Sequence, residues 1–267
     1  MIHKNRIKIG AVPYLNAKPL IYTLPKDNPN LQLSTAVPSL LADQLQSGHL
    51  DFALIPSIEY LRGKNYRVIP NISISSHDAV RSVKLFGKVP IEKVRRVALD
   101  TSSRTSRALL KILLAETYGL NPEYTSYDHR SPIHDTDADA VLLIGDAAMQ
   151  QSDENWHILD LGEEWYSMTG LSFVYALWVT KENTILGNIP QILQQAKQNG
   201  LQIIPEIAQA ESAKLNLPEL LCREYLTKNI GYDLNATELA GLRLFYNYAV
   251  KLGLAKPEIE IAFTKSR

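Results

Sequence analysis

The chain has a single cysteine in 267 residues, Cys222, which excludes an internal disulfide and any metal site built from several thiolates. An excess of charge is also missing. Lys and Arg number 28 and Asp and Glu number 28, so no net field draws the chain to nucleic acid or an acidic membrane surface. Long apolar runs are absent too: the longest, Phe173 to Val179, is far below what a membrane span requires. Met1 to Gly10 run directly into the strand-like Ile7-Lys8-Ile9, with neither the apolar core nor the cleavage site of a secretory signal. A cytoplasmic location is therefore expected. The six histidines, His3, His49, His77, His129, His134 and His157, fall at no metal-ligand spacing. No Walker loop, G-x-G-x-x-G or G-x-S-x-G occurs.

What is present points to an ordinary globular core. Hydrophobic residues make up 45% and charged residues 21%, and the length exceeds one typical domain but not three. Short apolar runs alternate with helical patterns. Strands are predicted at Ile7–Val12, Leu31–Val37, Phe52–Ile55, Tyr66–Ile74, Ser82–Phe86, Val94–Leu99, Ala140–Ile144 and Phe173–Val179. Helices are predicted at Ser39–Ser47, Ile58–Arg62 and Thr105–Tyr118. That βαβ rhythm implies a mostly parallel sheet covered by helices. From Ile189 to Leu254 the pattern becomes wholly helical, with Leu239, Leu242, Phe245, Tyr246 and Ala249 at three- and four-residue spacing. A faint echo links Leu50–Ser57 to Ala138–Asp146: in each, an Asp opens an apolar run that ends in a small or polar residue beginning a helix. Two similar α/β lobes that end strands at a shared cleft would produce it, and ligands of open α/β sheets lie beyond the carboxyl ends of the strands.

The strongest chemical signal is Asp100-Thr101-Ser102-Ser103-Arg104-Thr105-Ser106-Arg107. It follows the strand Val97-Ala98-Leu99, and Ser102 or Ser103 can cap the helix behind it. Helix starts favour Asp or Glu, yet Arg104 and Arg107 stand here among hydroxyls. Free N–H groups, the hydroxyls of Ser102, Ser103 and Thr105, and the Arg104 guanidinium would together suit a carboxylate; a Ser-capped helix with exposed arginines is the plainer reading. Pro13 and Pro19 bracket a stiff loop that would carry Tyr14 and project Asn16 into the cleft, or hold Asn16 as a turn residue. Ser57 caps a helix at the same cleft or serves only as its cap. Arg81 and Ser82 lie where the chain passes between lobes, Arg81 facing an anion or a surface ion pair. Charge is uneven as well: Arg81 to Arg107 holds eight Lys or Arg against Glu92 and Asp100, while Asp135 to Glu164 holds nine Asp or Glu and no cation. Two solvated faces would explain this, as would a basic patch that gathers anions. Residue by residue the reading reaches a two-lobed anion binder, without dividing receptor from enzyme.

The strings AVPYLNAKPL (11–20), PSIEYLR (56–62), VRSVKLFGKVPIEKVRRVALDTSSRTS (80–106), LLIGDAAM (142–149) and DLGEEW (160–165) resemble the chorismate dehydratase family of the futalosine route to menaquinone. The resemblance runs from the first strand to about Trp178. It implies an α/β fold of the type II periplasmic-binding-protein kind: two α/β lobes joined by two crossover strands, with a ligand cleft between them. The expected division is 1–84 with 179–267 in one lobe and 85–178 in the other. It also implies conversion of chorismate, the small-molecule partner, to an aromatic enol ether with loss of water. No metal or organic cofactor is expected, and the oligomeric state is left open. The sister enzyme, 1,4-dihydroxy-6-naphthoate synthase, shares the fold but opens with a Ser-Pro-Cys-Pro-Asn-Asp-like loop where this chain has Val12-Pro13-Tyr14-Leu15-Asn16. A small-anion receptor on the same fold is a further alternative. On the family reading, Asn16 is the expected catalytic residue. Tyr14, Ser57, Arg81, Ser82, Ser102, Ser103, Arg104, Thr105, Gly145 and Asp146 are expected to bind substrate, although Asp146 could equally cap the helix that follows it.

Overall fold

A computed structural model of the chain describes residues 6–24, 30–128, 131–257 and 260–264. His3 and His129, and the start of the Met1–Gly10 segment, lie outside these residues. In chain order the described strands are β1 (Ile7–Ala11), β2 (Leu31–Thr35), β3 (Phe52–Pro56), β4 (Tyr66–Ser76), β5 (Val83–Gly87), β6 (Arg96–Asp100), β7 (Glu123–Tyr127), β8 (Ala140–Ile144), β9 (His157–Asp160) and β10 (Phe173–Lys181). They form two five-stranded sheets, ordered β2-β1-β3-β10-β4 and β7-β6-β8-β5-β9. In each, the first three strands are parallel and the fourth runs antiparallel to both neighbours.

The two sheets therefore repeat one pattern. β3 and β8 hold the same central place and are buried along their whole length, as expected of parallel strands covered on both faces. They are the two segments whose sequences echo one another. The edge strands β7 and β9 are absent from the sequence-based expectation because most of their residues are only half-buried or exposed. An edge strand need not carry an apolar run, so hydrophobic patterning does not report it.

The helices are α1 (Lys18–Ile21), α2 (Pro38–Ser47), α3 (Ser57–Arg62), α4 (Arg104–Glu116), α5 (Gly145–Gln150), α6 (Leu161–Thr169), α7 (Ile189–Gln202), α8 (Ile204–Leu215), α9 (Glu219–Glu224) and α10 (Ala236–Lys251). A π-helical turn at Tyr225–Asn229 continues α9. Pro at the first or second position starts α1, α2, α7 and α8, where its missing N–H costs nothing. α7 packs on α1 and β4, and α10 on β10, so the C-terminal helices belong with the first sheet. Trp165 of α6 meets Phe173 and Phe245 edge-on, with ring centroids 5.3 and 6.3 Å apart. No helix among the described residues is long and apolar enough to cross a membrane.

The chain changes sheet twice, in residues 77–82 and 170–172. The expected divisions at 84/85 and 178/179 fall inside β5 and β10, each of which pairs along its length within one sheet. Ladder hydrogen bonds keep a strand in one sheet, so the change of sheet falls in the short connections. Both connections contain a left-handed residue, Arg81 at φ 60° and Gly170 at φ 68°. Gly170 adopts this conformation without strain, whereas Arg81 needs support. Asp160, at the end of β9, supplies it. Its carboxylate accepts from the Val80 and Arg81 N–H at 3.0 and 2.6 Å and from the Gly162 and Glu163 N–H at 2.9 and 3.3 Å. One side chain thus caps α6 and holds the first connection against it.

Candidate functional site

The carboxyl ends of the parallel strands of both sheets converge on one space of about 60 Å³. The loop after β1 contributes Val12, Tyr14 and Asn16, and the cap and first turn of α4, which follows β6, contribute Ser103, Thr105 and Ser106. Ile144 ends β8 and Gly145 begins α5, Val80 and Ser82 come from the first connection, and Tyr175 comes from β10. A wider hollow of about 750 Å³ lies at the opposite end of β10, around Thr180–Gly187. It holds the Arg67–Glu182 ion pair rather than convergent unpaired donors.

Asn16 presents the most unusual polar atom of the space: its Oδ1 is buried and has no hydrogen-bond partner. Buried acceptors are normally satisfied, because an unmade hydrogen bond there costs about 1–3 kcal/mol. The Asn16 amide stands within hydrogen-bonding reach of the Tyr225 hydroxyl, which donates to Ser82 Oγ at 2.7 Å. Tyr225 is fully buried and its hydroxyl is pushed upward in pKa, first by desolvation. Burial likewise raises Tyr14 to about 12 and raises Tyr175 well above the ordinary tyrosine value. All three hydroxyls keep their protons at neutral pH and can act as neutral donors.

Gly145 sits at φ 61°, and its N–H donates to the Ser82 carbonyl at 2.7 Å. A Cβ there would stand 3.2 Å from the Tyr14 ring, so the ring and the turn after β8 lie face to face across the space. Ser103 caps α4, accepting from the Ser106 N–H at 3.3 Å. The remaining N–H groups of the first turn have no helical acceptor. Together with the hydroxyls they line the space with neutral dipoles.

Several expected residues stand elsewhere. Arg104 does not face the space. Its guanidinium grips Asp43 through two bonds of 2.9 and 3.0 Å and Glu59 through one of 3.0 Å. The two carboxylates, on α2 and α3, offer a better partner than open solvent, and they tie α4 to the first sheet's helices. Arg81 is exposed, and its contribution is its strained backbone. Ser57 is spent on the Val174 carbonyl at 2.7 Å. Ser102 gives both its N–H and its Oγ to Asp100, at 2.7 and 2.6 Å, and its hydroxyl also meets Tyr14. Thr105 lines the space, with Oγ1 accepting from the Ile58 N–H at 3.2 Å. Asp146 does not cap α5. Ile144 occupies the cap position, and the Asp146 Oδ1 instead accepts from the Leu15 N–H at 3.0 Å, across the gap between the sheets. Burial raises its carboxyl pKa, opposed by that hydrogen bond and by the charge of Lys18.

Asn16, Tyr14, Ser82, Ser103, Thr105 and Gly145 are therefore brought together, whereas Ser57, Arg81, Ser102, Arg104 and Asp146 do not line the space. The structure adds Ser106 and Tyr175 to the lining and sets Tyr225 behind it, bonded to Ser82 and beside Asn16. Tyr175 lies within an apolar strand run and Tyr225 within an amphipathic helical run, patterns that signal core packing and conceal a hydroxyl aimed at a cleft.

Two sheets of matching topology with a cleft between their strand ends define a periplasmic-binding-protein-like fold. The chain superimposes on the periplasmic aliphatic sulphonate binding protein of Escherichia coli with a TM-score of 0.65 at 16% identity, covering 96% of each chain. Protein AF1704 from Archaeoglobus fulgidus superimposes with a TM-score of 0.76, also at 16% identity, over 94% of this chain and 99% of that one. At the sequence level, the family model described as menaquinone biosynthesis matches residues 7–251, and the chain belongs to that family. It is 34% identical over 265 residues to the chorismate dehydratase of Thermus thermophilus, covering 92% of this chain and 95% of that protein.

Proposed function

We propose that this chain is a chorismate dehydratase, a hydro-lyase converting chorismate to 3-[(1-carboxyvinyl)oxy]benzoate and water on the futalosine route to menaquinone, acting in the cytoplasm. The observation that carries this reading is its 34% identity to the Thermus thermophilus chorismate dehydratase over nearly the whole of both chains. The cleft chemistry agrees with it. Chorismate bears two carboxylates, and the cleft offers the first turn of α4 together with hydroxyls of Ser103, Thr105, Ser106, Tyr14 and Tyr175.

Dehydration removes the ring proton beside the enol ether and the neighbouring hydroxyl. The electron pair of the broken C–H bond spreads through the diene towards the ring carboxylate. Expulsion of the hydroxyl then returns it to the ring as an aromatic bond, so proton and hydroxyl leave as water. Dipoles at the ring carboxylate stabilise the charge as it develops. Among the described residues the cavity lining holds no Asp, Glu, His or Lys. The proton is assigned to the substrate's own enolpyruvyl carboxylate, and the enzyme holds the conformation that makes this transfer possible. The enolpyruvyl carboxyl hands this proton to the departing hydroxyl, which leaves as water, and the unpartnered Oδ1 of Asn16 suits that group, accepting a hydrogen bond from its O–H that strengthens as the oxygen is protonated.

A space of 60 Å³ corresponds to about two water molecules, smaller than chorismate, so we assign the bound state to a wider separation of the two lobes followed by closure. Contacts across the gap, Arg104 with Asp43 and Glu59 among them, bias that closure. Arg104→Ala should raise the KM for chorismate about two- to fivefold, the measure of a half-exposed ion pair, with kcat little changed. A loss of about 100-fold would instead mean that the guanidinium turns to hold a substrate carboxylate.

The direct test is to mix purified protein with chorismate and follow substrate and product by chromatography and mass. The expected product is lighter than chorismate by one water. Recovery of intact chorismate, even if it binds tightly, would make the chain a binding protein. Activity should also survive exhaustive dialysis against EDTA, because the histidines and Cys222 carry no metal-site spacing. Activity lost on dialysis and restored by one divalent ion would overturn that expectation.

A further inference from the structure

On the outer side of α4 a second hollow, about 170 Å³, is lined by Arg62, Arg104, Arg107, Ala108, Lys111 and Leu254. Arg62 belongs to α3, which follows the first sheet's β3, while Arg107 and Lys111 belong to α4, which follows the second sheet's β6. The hollow thus bridges the two halves of the molecule. Two of its cations are satisfied: Arg104 by Asp43 and Glu59, and Arg62 by Glu59 at 2.9 Å and the Leu254 carbonyl at 3.0 Å. One carboxylate, Glu59, serves both guanidiniums.

Arg107 and Lys111 have no such partner. Neither forms an ion pair with a carboxylate among the described residues. They stand one turn apart on the same helix, where like charges repel, and Arg107 lies in the first turns, where the helix dipole also disfavours a cation. Burial lowers the Lys111 pKa first, and the neighbouring charges of Arg107 and Arg62 lower it further. Its ammonium rests 4.5 Å from the centre of the Tyr124 ring, which fixes it beside the hollow without neutralising it. The four lining cations thus face two carboxylates, leaving a surplus of positive charge in a concave site.

We propose that this hollow binds a small anion of two or more negative charges, a phosphate ester or polycarboxylate, held between Arg62 on one wall and Arg107 and Lys111 on the other. The volume corresponds to about five or six water molecules, enough for an anion of pyrophosphate or citrate size. Such a ligand would relieve the repulsion along α4 and cross-link α3 to α4, stabilising the arrangement in which the halves are together. The site is separate from the cleft, which is lined by neutral groups.

Calorimetric titration of the full-length protein with pyrophosphate and, in a second series, citrate tests the proposal at constant ionic strength and without chorismate. Saturable one-to-one binding is expected for at least one of them. The double variant Arg107→Gln/Lys111→Gln should weaken it by about tenfold or more, the scale of lost charge-assisted contacts. Arg62→Gln, on the opposite wall, should weaken it independently, which keeps the test decisive if the double variant folds poorly. Pyrophosphate alone points to phosphate esters and citrate alone to polycarboxylates; either supports the site. No saturable binding of either anion, or binding that the wall substitutions leave unchanged, overturns it.

Discussion

Asn16→Ala is expected to lower the turnover of chorismate by about 100-fold or more, the usual consequence of losing one polar group that acts in the transition state. Its effect on substrate binding should be far smaller. The expectation rests on an imbalance: Asn16 Oδ1 is buried without a partner, while the amide stands by the Tyr225 hydroxyl. A side chain anchored at one end and unsatisfied at the other is held ready for something that arrives. Because the interaction develops chiefly as the hydroxyl departs, kcat should fall and KM should not. Removing a buried unsatisfied acceptor costs the fold little, so the melting temperature should stay near that of the unmodified protein. Single-turnover loss of chorismate, measured beside a melting curve, separates the outcomes. Near-normal turnover in a well-folded variant would reject the role, and a large drop in melting temperature with normal activity per folded molecule would make Asn16 a structural turn residue.

Asp160→Ala should produce the largest loss of stability. Its carboxylate accepts from four backbone N–H groups, two in the first connection and two at the start of α6. Loss of a helix cap costs about 1 kcal/mol, and each buried N–H left unpaired costs about 1–3 kcal/mol. Against this, burial raises the Asp160 pKa, so confining its charge is itself unfavourable and removing it recovers part of the cost. A net loss of about 2–4 kcal/mol remains, equivalent to a fall in melting temperature of roughly 5–15 °C. Asp160→Asn keeps the Oδ1 acceptor but turns an amide towards the Arg81 N–H, and should lie between the two. Arg81, at φ 60°, loses its support in both variants, so the KM for chorismate should rise as the connection loosens. A melting temperature within a degree or two of the unmodified protein for Asp160→Ala would refute the clamp.

Much of this protein is legible in its residues taken in order. The apolar runs of β3, β8 and β10 mark central strands because a strand covered on both faces needs no polar alternation. The loops carrying Asn16 and Ser103 lie after strands, and position after a strand is enough to place them at the cleft of an open α/β fold. Ser103 caps α4 as its type and place require.

What the sequence could not determine is where long side chains spend their charge and which hydroxyls meet across the halves. Arg104 sits in the most suggestive string of the chain, yet it reaches Asp43 and Glu59, 61 and 45 residues away. Tyr225 reaches Ser82 across 143 residues and Asp146 reaches the Leu15 N–H across 131. Asp160 caps α6 next to it in the chain, but its bonds to Val80 and Arg81 span about 80 residues. Local patterning records burial and backbone preference, which depend on near neighbours in the chain. The partner of a buried polar group is chosen by whichever segment the topology brings within about 3 Å, and in this fold those segments come from different sheets.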